Sequence, residues 1–505
     1  MNQLKAGAAL NYVVIILNMV VGLLYTPYML RMMGQSEYGL YSLVASVISY
    51  LTVLDLGLGN AIVRYTAKFR AEGKIVEQYE MFGMFLVLYI AIGIISFVAG
   101  LGLYFNVDTF FGSTMTIGEL DKVRIMMLFL IFNLAVTFPL SIFGSIIAAY
   151  ERFVFPKLIN IIRIVLNTII MICLLEMGYK AIAMVILQTI FNLLTLIINY
   201  FYCKYKLRIK IYFRNFQWGF LKEVALYSFW IFLNVIMDRI YWSTGQFVLG
   251  ALVGTAAVAV FAVAIQLEQI YMHFSTAISG VFLPKVTGMV ARNDNREEIS
   301  DLFIRTGRIQ YIVIALILTG FIVFGRDFIH LWAGTEYESA YLITLLFFVS
   351  LTIPLIQNLG ITILQARNQM KFRSLLYIVI AILSLVFQII LAKQYGGIGC
   401  AIAIAGALLL GQGLIMNIYY HKKQNLNIWK FWKEILKMSV VPVVMCLSAM
   451  YILHDRSLDS WFTLGMSVSL FMIIYLLLFF CFSMNQSERD LFIKPIGSFI
   501  HKIKR

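Results

Sequence analysis

The sequence predicts an all-α, polytopic membrane protein with about 14 transmembrane helices. Composition is the first observation: of 505 residues, 61% are hydrophobic and 13% are charged, whereas about a quarter of a soluble protein is charged. The second is that apolar windows of about 20 residues, enough to cross a bilayer, recur along the whole chain. The third is that no connection between these windows is long enough for a separate water-soluble domain. Together these observations exclude a soluble globular protein.

Fourteen windows are predicted as membrane spans. In chain order they cover residues 8–30, 38–61, 81–105, 123–149, 158–177, 181–203, 222–249, 254–282, 309–329, 339–364, 374–393, 397–420, 438–454 and 460–483. The first window follows only Lys5, is longer than a signal-peptide core and lacks a small-residue cleavage site near its end. It is therefore predicted to stay in the protein as a helix.

Positive charge sets the predicted orientation. With a cytoplasmic N-terminus, the predicted inside segments hold 31 Lys and Arg residues and the outside segments hold seven. By the positive-inside rule, this imbalance predicts that both termini are cytoplasmic and that the number of spans is even. The net charge of +15 then belongs to cytoplasmic loops and does not indicate a nucleic-acid partner.

Two overlays of the chain on itself indicate an internal duplication. With an offset of 215, Pro139 falls on Pro354, and with an offset of 220, Gly34 falls on Gly254. Both overlays relate spans one to six to spans seven to twelve. Because six is an even number, the two halves enter the membrane in the same direction, which is a parallel repeat.

The duplication predicts three domains. Residues 1–220 form an N-terminal lobe with spans one to six, and residues 221–425 form a C-terminal lobe with spans seven to twelve. Residues 426–505 hold the last two spans and a basic cytoplasmic tail. Two such lobes enclose a central cleft, and rocking one against the other opens the cleft to alternate sides of the membrane.

Ionisable side chains within or beside the spans are the candidates for function. Each costs about 2.5–3.5 kcal/mol to insert, so each needs a partner or a water-filled cavity. They are Asp55, Arg64, Arg163, Asp238, Arg239, Glu268 and His273. Arginines in a cleft favour an anionic cargo, because a guanidinium stays charged and forks onto phosphate or carboxylate oxygens. A carboxylate there could carry a proton or contact a cation.

Each candidate also has a structural interpretation. Asp238 and Arg239 point about 100° apart on their helix, so they do not pair with each other, but either could join an interhelical ion pair. Arg163 lies near enough to the cytoplasmic end of the fifth span to snorkel to the interface. For Glu268, in the middle of the eighth span, a coupling role is favoured. For His273, a structural role is favoured.

Catalytic and cofactor-binding patterns are absent from the sequence. No GxxxxGK[ST] phosphate loop is present, which excludes ATP hydrolysis by this chain. No HExxH or GxSxG pattern appears, and the five cysteines, expected to be free thiols, lack metal-ligand spacing. The sequence therefore predicts no cofactor, no metal and no nucleotide. A proton or sodium gradient, or the gradient of the cargo itself, would supply any energy that transport needs.

Two segments carry a family resemblance. Gly34-Gln-Ser-Glu-Tyr-Gly-Leu-Tyr-Ser-Leu, followed by Leu54-Asp-Leu-Gly-Leu-Gly-Asn-Ala-Ile-Val-Arg64-Tyr-Thr-Ala-Lys68, resembles the first two spans of polysaccharide-export flippases of the O-antigen type. The segment Leu364-Gln-Ala-Arg-Asn-Gln-Met-Lys-Phe372 and the six-plus-six-plus-two layout are similar to that family too. The resemblance thus covers essentially the whole chain. These flippases belong to the multidrug/oligosaccharidyl-lipid/polysaccharide exporter superfamily, whose multidrug antiporters and lipid II flippase share the layout.

The resemblance implies a function and an architecture. It implies two six-helix lobes in a V-shaped arrangement plus two extra C-terminal helices, which could offer a groove for a lipid tail. It implies alternating access for an undecaprenyl-pyrophosphate-linked oligosaccharide, moved to the outer leaflet of a bacterial inner membrane for surface polysaccharide biosynthesis. Membrane lipids and a polysaccharide polymerase are the other partners that it implies.

The resemblance also divides the candidate residues by role. Pyrophosphate or acidic-sugar contacts are expected from Arg64, Arg163 and Arg239. Ion coupling is expected from Asp238 and Glu268, and Asp55 and His273 are further candidates for ion coupling or for lining of the cleft. The family has no invariant catalytic motif, so these assignments depend on the buried charges of this chain.

Two other functions stay open at this point. A small-molecule exporter of the same superfamily would use acidic groups in the cleft to select cations, and Asp55, Asp238 and Glu268 fit that requirement. A membrane-embedded glycan polymerase or ligase is disfavoured. Such enzymes need a sizeable outer loop with catalytic side chains, and the longest predicted outer loop, about 106–122, is short.

Overall fold

The structure is a computed structural model. It describes residues 3–490 apart from residues 56, 215–217, 280–285, 287, 290–295, 368 and 454–457. Every regular element within these ranges is helical. The all-α prediction is confirmed.

The first half of the chain contributes ten helices among the described residues. They are α1 (Gln3–Met33), α2 (Gln35–Leu51), α3 (Leu58–Ala71), α4 (Ile75–Phe105), α5 (Val107–Phe111), α6 (Ile117–Ala149), α7 (Val154–Glu176), α8 (Ala181–Phe201), α9 (Trp218–Trp242) and α10 (Thr244–Leu252). The described part of the second half continues in the same way. It has α11 (Thr255–Ser279), α12 (Arg296–Trp332), α13 (Ala340–Ile356), α14 (Leu359–Ala366), α15 (Lys371–Leu408), α16 (Met416–Lys422), α17 (Ile428–Leu453) and α18 (Trp461–Phe482).

The predicted spans map onto these helices. By length and hydropathy, 11 helices in the described ranges could cross a membrane, or up to 12 if the bent pair α13 and α14 forms one span. One of the 11 is a 52-residue run, Lys371–Lys422, that contains both the eleventh and the twelfth predicted spans. The seventh predicted span corresponds to α9 and α10. The chain is therefore a multi-pass membrane protein of the predicted class.

By their contacts the helices form two compact units. Unit 1 comprises Met1–Ala262 and Leu385–Cys400, and unit 2 comprises Val263–Ser384 and Ala401–Arg505. These units do not test the predicted lobe boundaries at residues 220 and 425, which stay a prediction.

The core of unit 1 is built around α6, which packs on α4, α8, α3 and α2, while α1 packs on α7. Small residues allow the closest approach, between α4 and α6. A Cβ on Gly93 would lie 2.7 Å from the carbonyl oxygen of Ala135, and one on Gly100 would lie 2.7 Å from the side chain of Ile131. Side chains larger than glycine would therefore push these two helices apart.

The core of unit 2 is built around α12, which packs on α13, α17 and α18. The last two predicted spans, α17 and α18, thus lie against the ninth. A buried aromatic cluster joins them, with the rings of Phe303 and Phe431 5.0 Å apart and those of Phe324 and Phe471 5.5 Å apart. Such pairs add stability beyond their buried area.

Several spans are broken, and the breaks occur at glycine or at short non-α turns. Between α2 and α3 the chain forms a 3-10 turn at Thr52–Asp55, and Gly57 then adopts a left-handed φ of 70°. Gly396, with a φ of 55°, lies between the eleventh and twelfth predicted spans. Helices α13 and α14 bend by 43°. Glycine is needed at these two positions because left-handed backbone strains other residues.

The duplication has a local structural counterpart. Gly34 has a φ of 80° and directly precedes α2, and Gly254 has a φ of 124° and directly precedes α11. Pro139 lies inside α6 and Pro354 inside α13. Each paired glycine thus directly precedes a helix and each paired proline lies within one, while the repeat itself stays a prediction.

Candidate functional site

Unit 1 contains a polar cavity of about 310 Å³ between α1, α2, α7 and α8. Its described lining residues are Asn18, Val21, Tyr25, Thr26, Met29, Tyr38, Tyr41, Arg163, Ile164, Asn167, Thr168, Met171, Met184 and Gln188. Amide, hydroxyl and guanidinium groups make up a large share of this lining. We call it the Arg163 cavity.

Helical periodicity brings these side chains to one place. On α1, the lining positions Asn18, Val21, Tyr25 and Met29 follow one another at intervals of three or four residues, so they share one face. The lining positions on α7 have the same spacing. Each helix thus turns a polar stripe into the unit and keeps apolar residues on its other sides.

Arg163 is the one charged residue among the described residues that line this cavity. It lies nine residues after Val154, where α7 begins, so it is about 14 Å along the helix axis and near its middle. Its side chain is half-buried. Within the described ranges it has no hydrogen bond and no ion pair with protein. Arg163 therefore lines the cavity without a partner from the described protein, and both its role as a substrate contact and the snorkelling alternative stay predictions.

The other polar groups of the cavity are partly unsatisfied. The Tyr41 hydroxyl donates a hydrogen bond of 3.2 Å to Oε1 of Gln188. The Tyr25 hydroxyl is buried, and among the described residues no hydrogen-bond partner serves it. A buried hydroxyl without a partner costs about 1–3 kcal/mol, so its burial indicates that a ligand or water completes it. Since no described lining residue is acidic, the cavity favours an anion.

The other two candidate arginines lie outside this cavity. Arg64, on α3, is exposed, and its guanidinium carbon lies 5.6 Å from the ring centre of Tyr65. Arg239, on α9, is half-buried, and its Nε atom is buried with no hydrogen-bond partner in the described part of the chain. The structure therefore does not gather the three arginines into one cluster. The assignment of Arg64, Arg163 and Arg239 as substrate contacts stays a prediction.

Asp55 lies where the second span breaks. It ends the 3-10 turn, and its carboxylate accepts hydrogen bonds from the Tyr89 hydroxyl and from the backbone N–H of Gly57. These contacts hold the backbone between α2 and α3. The structure thus gives Asp55 a structural role, and a part in ion coupling stays a prediction.

Glu268 is fully buried in α11, within unit 2. Tyr271 and Ser275 follow it at helical spacing, so all three share one face. The Tyr271 hydroxyl lies 2.8 Å from Oγ1 of Thr352, and Ser275 donates a 2.6 Å hydrogen bond to the carbonyl of Leu355. Glu268 is therefore part of a buried polar stripe, a setting in which a carboxylate can hold a proton.

The two remaining candidates are on surfaces. Asp238, on α9, and His273, on α11, are both exposed. Within the described ranges, no three or more His, Cys, Asp or Glu side chains come together in a way that could hold a metal ion. The roles of Asp238 and His273 in coupling or lining of the cleft stay predictions.

The sequence reasoning missed a buried ion network in unit 2. Arg308, on α12, donates from Nε to Glu488 at 2.6 Å and from Nη2 to the other Glu488 oxygen at 2.9 Å. Its Nη1 donates to Glu434, on α17, at 2.7 Å, and Nη2 also reaches the carbonyl of Ser483 at 3.2 Å. The side chains of Arg308 and Glu488 are 6% and 0% exposed.

The sequence offered no direct signal for this network. Arg308 lies in the connection between the eighth and ninth predicted spans, and its partners lie 126 and 180 residues further along the chain. A weak signal exists in the carboxylates of Glu434 and Glu488, which lie in basic segments that flank the last two spans. The network connects α17 and the segment after α18 to α12 through hydrogen bonds and ion pairs.

Comparison with known proteins adds the family. A family model described as "Polysaccharide biosynthesis protein" matches residues 4–290, more than half of the chain. The chain belongs to the polysaccharide biosynthesis protein family. A curated relative of this family member, the uncharacterized membrane protein EpsK of Bacillus subtilis (strain 168), is 19% identical over 491 residues, 96% of each chain.

Solved structures identify the fold of this family member. The lipid II flippase MurJ, in an inward closed conformation, matches with a TM-score of 0.72 and 16% identity, covering 97% of this chain and 99% of that one. A multidrug resistance MATE family transporter of the MOP superfamily, in an inward-facing conformation, matches with a TM-score of 0.61 and 13% identity, covering 82% and 99%. These likenesses show the fold, and the predicted polysaccharide family and all-α membrane fold are confirmed.

Proposed function

We propose that this protein is a flippase for undecaprenyl-pyrophosphate-linked oligosaccharide repeat units. It would carry them by alternating access from the cytoplasmic to the outer leaflet of a bacterial cytoplasmic membrane, with both of its termini in the cytoplasm. The observation that carries the proposal is the Arg163 guanidinium, which faces a polar cavity and has no protein partner in the described ranges. The polysaccharide family and the flippase-like fold support the same function.

The lining of the Arg163 cavity suits a diphosphate attached to a sugar. Arg163 would fork onto phosphate oxygens and neutralise part of their charge. The amides of Asn18, Asn167 and Gln188 can donate to and accept from sugar hydroxyls, and the Tyr25 hydroxyl would gain a partner. A volume of about 310 Å³ is at the low end for ligand pockets, so the cavity would take the diphosphate and one adjoining sugar.

An apolar groove in unit 2 suits a lipid tail. It has a volume of about 300 Å³ and lies between α12 and α18, with Gly320, Phe324 and Phe471 among its lining residues. Space is left open beside Gly320, where a Cβ would meet no atom within 4 Å. We propose that this is the lipid-tail groove predicted for the last two spans, because a prenyl chain needs a continuous apolar surface.

Glu268 is the group that we propose for ion coupling. It is fully buried, so a change in its charge is costly and can be linked to a change in conformation. Glu268→Gln keeps the shape of the side chain and removes the charge. We expect this variant to fold and to lose any dependence of transport on a proton gradient.

Small-molecule export is less well supported by the cavity. A transporter that selects cationic compounds needs a carboxylate at its binding site. None of the described residues that line the Arg163 cavity is acidic. Cation selection there would therefore oppose the charge of Arg163.

The proposed function can be tested in cells by depleting the protein. Lipid-linked glycans would be measured by mass spectrometry, and their leaflet by a sugar-oxidising reagent that cannot cross the membrane. We expect complete repeat units to accumulate on the cytoplasmic side and to be shielded from the reagent. Wild-type protein should reverse this accumulation, whereas Arg163→Ala should not. Unchanged lipid-linked glycans after depletion, with normal surface polysaccharide, would contradict the proposal.

A further inference from the structure

Unit 1 has a second, larger cavity, of about 570 Å³, at the end of the helices where α7 leads into α8. Its described lining residues are Glu37, Lys122, Leu174, Gly178, Tyr179, Lys180, Ile182, Ala183, Ile186, Leu187 and Ile190. We call it the Lys180 groove. None of these residues lines the Arg163 cavity, so the two are separate.

The chemistry of the Lys180 groove changes along its length. Charged side chains meet at one end, and the lining along α8 from Ile182 to Ile190 is apolar. The ten helical residues from Ala181 to Ile190 span about 15 Å, which is half of the roughly 30 Å hydrocarbon thickness of a bilayer. The groove therefore has the depth of one leaflet, with its charged end at the predicted outer surface.

The groove has exposed apolar surface on a helix that is long enough to span a membrane. Ile190 is 47% exposed and Tyr179 is 53% exposed, although both belong to or adjoin a helix apolar enough to span a membrane. Exposed apolar surface on such a helix contacts lipid tails. A tyrosine at the charged end fits the interface between tails and headgroups.

The charges at the groove's end leave one cation in excess. The Glu37 carboxylate accepts from the Lys122 ammonium on one oxygen and from the backbone N–H of Ala181, at 3.4 Å, on the other. Its charge is therefore offset within the protein. Lys180 is exposed, and it forms no ion pair with any described carboxylate. The ammonium of Lys180 is free to bind an anion at the mouth of an apolar groove.

We propose that the Lys180 groove is a binding site for a phospholipid with an anionic headgroup. The headgroup phosphate contacts Lys180, and one acyl chain lies along Ile182, Ala183 and Ile186. A zwitterionic headgroup also offers a phosphate, but its own ammonium offsets that charge, so it would leave the excess positive charge of the groove uncompensated. This site is independent of the proposed cargo, which would use the Arg163 cavity.

Native mass spectrometry of the full-length protein in detergent tests this inference, with phosphatidylglycerol and phosphatidylethanolamine as probes. For the first bound lipid, the wild-type protein should prefer phosphatidylglycerol by about fivefold, as expected for one basic residue near an anionic phosphate. Lys180→Ala should reduce this preference to near one. The matched control is Lys393→Ala, which removes another exposed lysine that is predicted to lie outside, and it should keep the preference.

A second variant tests the groove without touching its charge. Ala183→Phe places a ring in the groove and should weaken the binding of both phospholipids while the ratio between them stays near the wild-type value. The proposal would be overturned if Lys180→Ala kept the wild-type preference for phosphatidylglycerol, or if Lys393→Ala lost that preference to the same extent. It would also be overturned if a polyprenyl phosphate, but not phosphatidylglycerol, displaced the first phospholipid that the protein binds.

Discussion

Two arginines, the half-buried Arg163 in unit 1 and the buried Arg308 in unit 2, show two ways in which a membrane protein accommodates a charge. Arg308 donates four hydrogen bonds, to Glu488, Glu434 and the carbonyl of Ser483. Arg163 has no protein partner in the described ranges and faces a polar cavity. The protein itself supplies carboxylate partners for Arg308, whereas we propose that an anionic ligand supplies the partner for Arg163.

This difference distinguishes an arginine that stabilises the structure from an arginine that is available to a ligand. A guanidinium with two carboxylate partners binds no further anion, and its network joins α17 and the end of α18 to α12. A guanidinium without a partner costs free energy in the empty protein and returns it when an anion binds. Arg308 therefore has a structural role, whereas Arg163 is the arginine that we propose contacts the cargo.

The largest expected effect follows from breaking the Arg308 network. Glu488→Ala should lower the free energy of unfolding by about 3 kcal/mol or more, because it leaves a buried charge without its two-oxygen partner. The matched control is Glu338→Ala, which removes the partner of Arg326. Those side chains are 55% and 72% exposed, and their pair should contribute less than about 1 kcal/mol. Unfolding in detergent would measure both, and equal losses would contradict the comparison.

Arg163→Ala should lower the affinity for cargo without lowering the stability of the protein. We expect the affinity for a pyrophosphate-linked lipid to fall about 10- to 100-fold, as for hydrogen bonds to a charged group worth about 1.5–3 kcal/mol, with unfolding unchanged or less favourable. Arg163→Lys, which keeps the charge and loses the fork, should lie between the two. A variant that unfolds as easily as Glu488→Ala but binds cargo normally would show that Arg163 is structural.

Asn167→Asp would make Arg163 resemble Arg308. Residues 163 and 167 are four apart on α7, so the new carboxylate would lie beside the guanidinium and offset its charge. Cargo affinity should fall about tenfold, close to the smaller effect expected of Arg163→Ala. In a double-mutant cycle, Asn167→Asp should cause little further loss once Arg163 is alanine. Additive losses would mean that the two residues act separately.

Tyr25→Phe should have the smallest effect. It removes a buried hydroxyl that has no partner among the described residues, so the stability of the empty protein should stay the same or rise slightly. Cargo affinity should fall about two- to tenfold, as for one neutral hydrogen bond. Tyr41→Phe is the control, because its hydroxyl already bonds to Gln188 and its loss should cost stability too. A stability loss in Tyr25→Phe would reveal a protein partner.

The sequence predicted the helices well because membrane spans obey local rules. Length, hydropathy and charge placed all the windows on helices, and even the short gap at 393–397 coincides with the left-handed Gly396. These signals depend on neighbouring residues, which a single chain displays directly.

The site was predicted only in part, because the surroundings of each candidate residue depend on residues that are distant in the sequence. The sequence named Arg163, yet it could not say whether the side chain snorkelled or faced a cavity, since α1, α2 and α8 complete the cavity. It grouped Arg64 with Arg163, whereas the structure leaves Arg64 exposed on α3. It assigned Arg308 to a loop, because partners 126 and 180 residues away give no local signal.

Translocation in reconstituted vesicles tests directly whether Arg163 contacts the cargo during transport. An isotopically labelled undecaprenyl-pyrophosphate oligosaccharide would be loaded in both leaflets, and its exposure to an impermeant oxidising reagent would be followed over time. Wild-type protein and Arg326→Ala should expose the protected fraction, while Arg163→Ala should leave it protected as in protein-free vesicles. If Arg163→Ala moves the lipid as fast as the wild type, Arg163 does not contact the cargo.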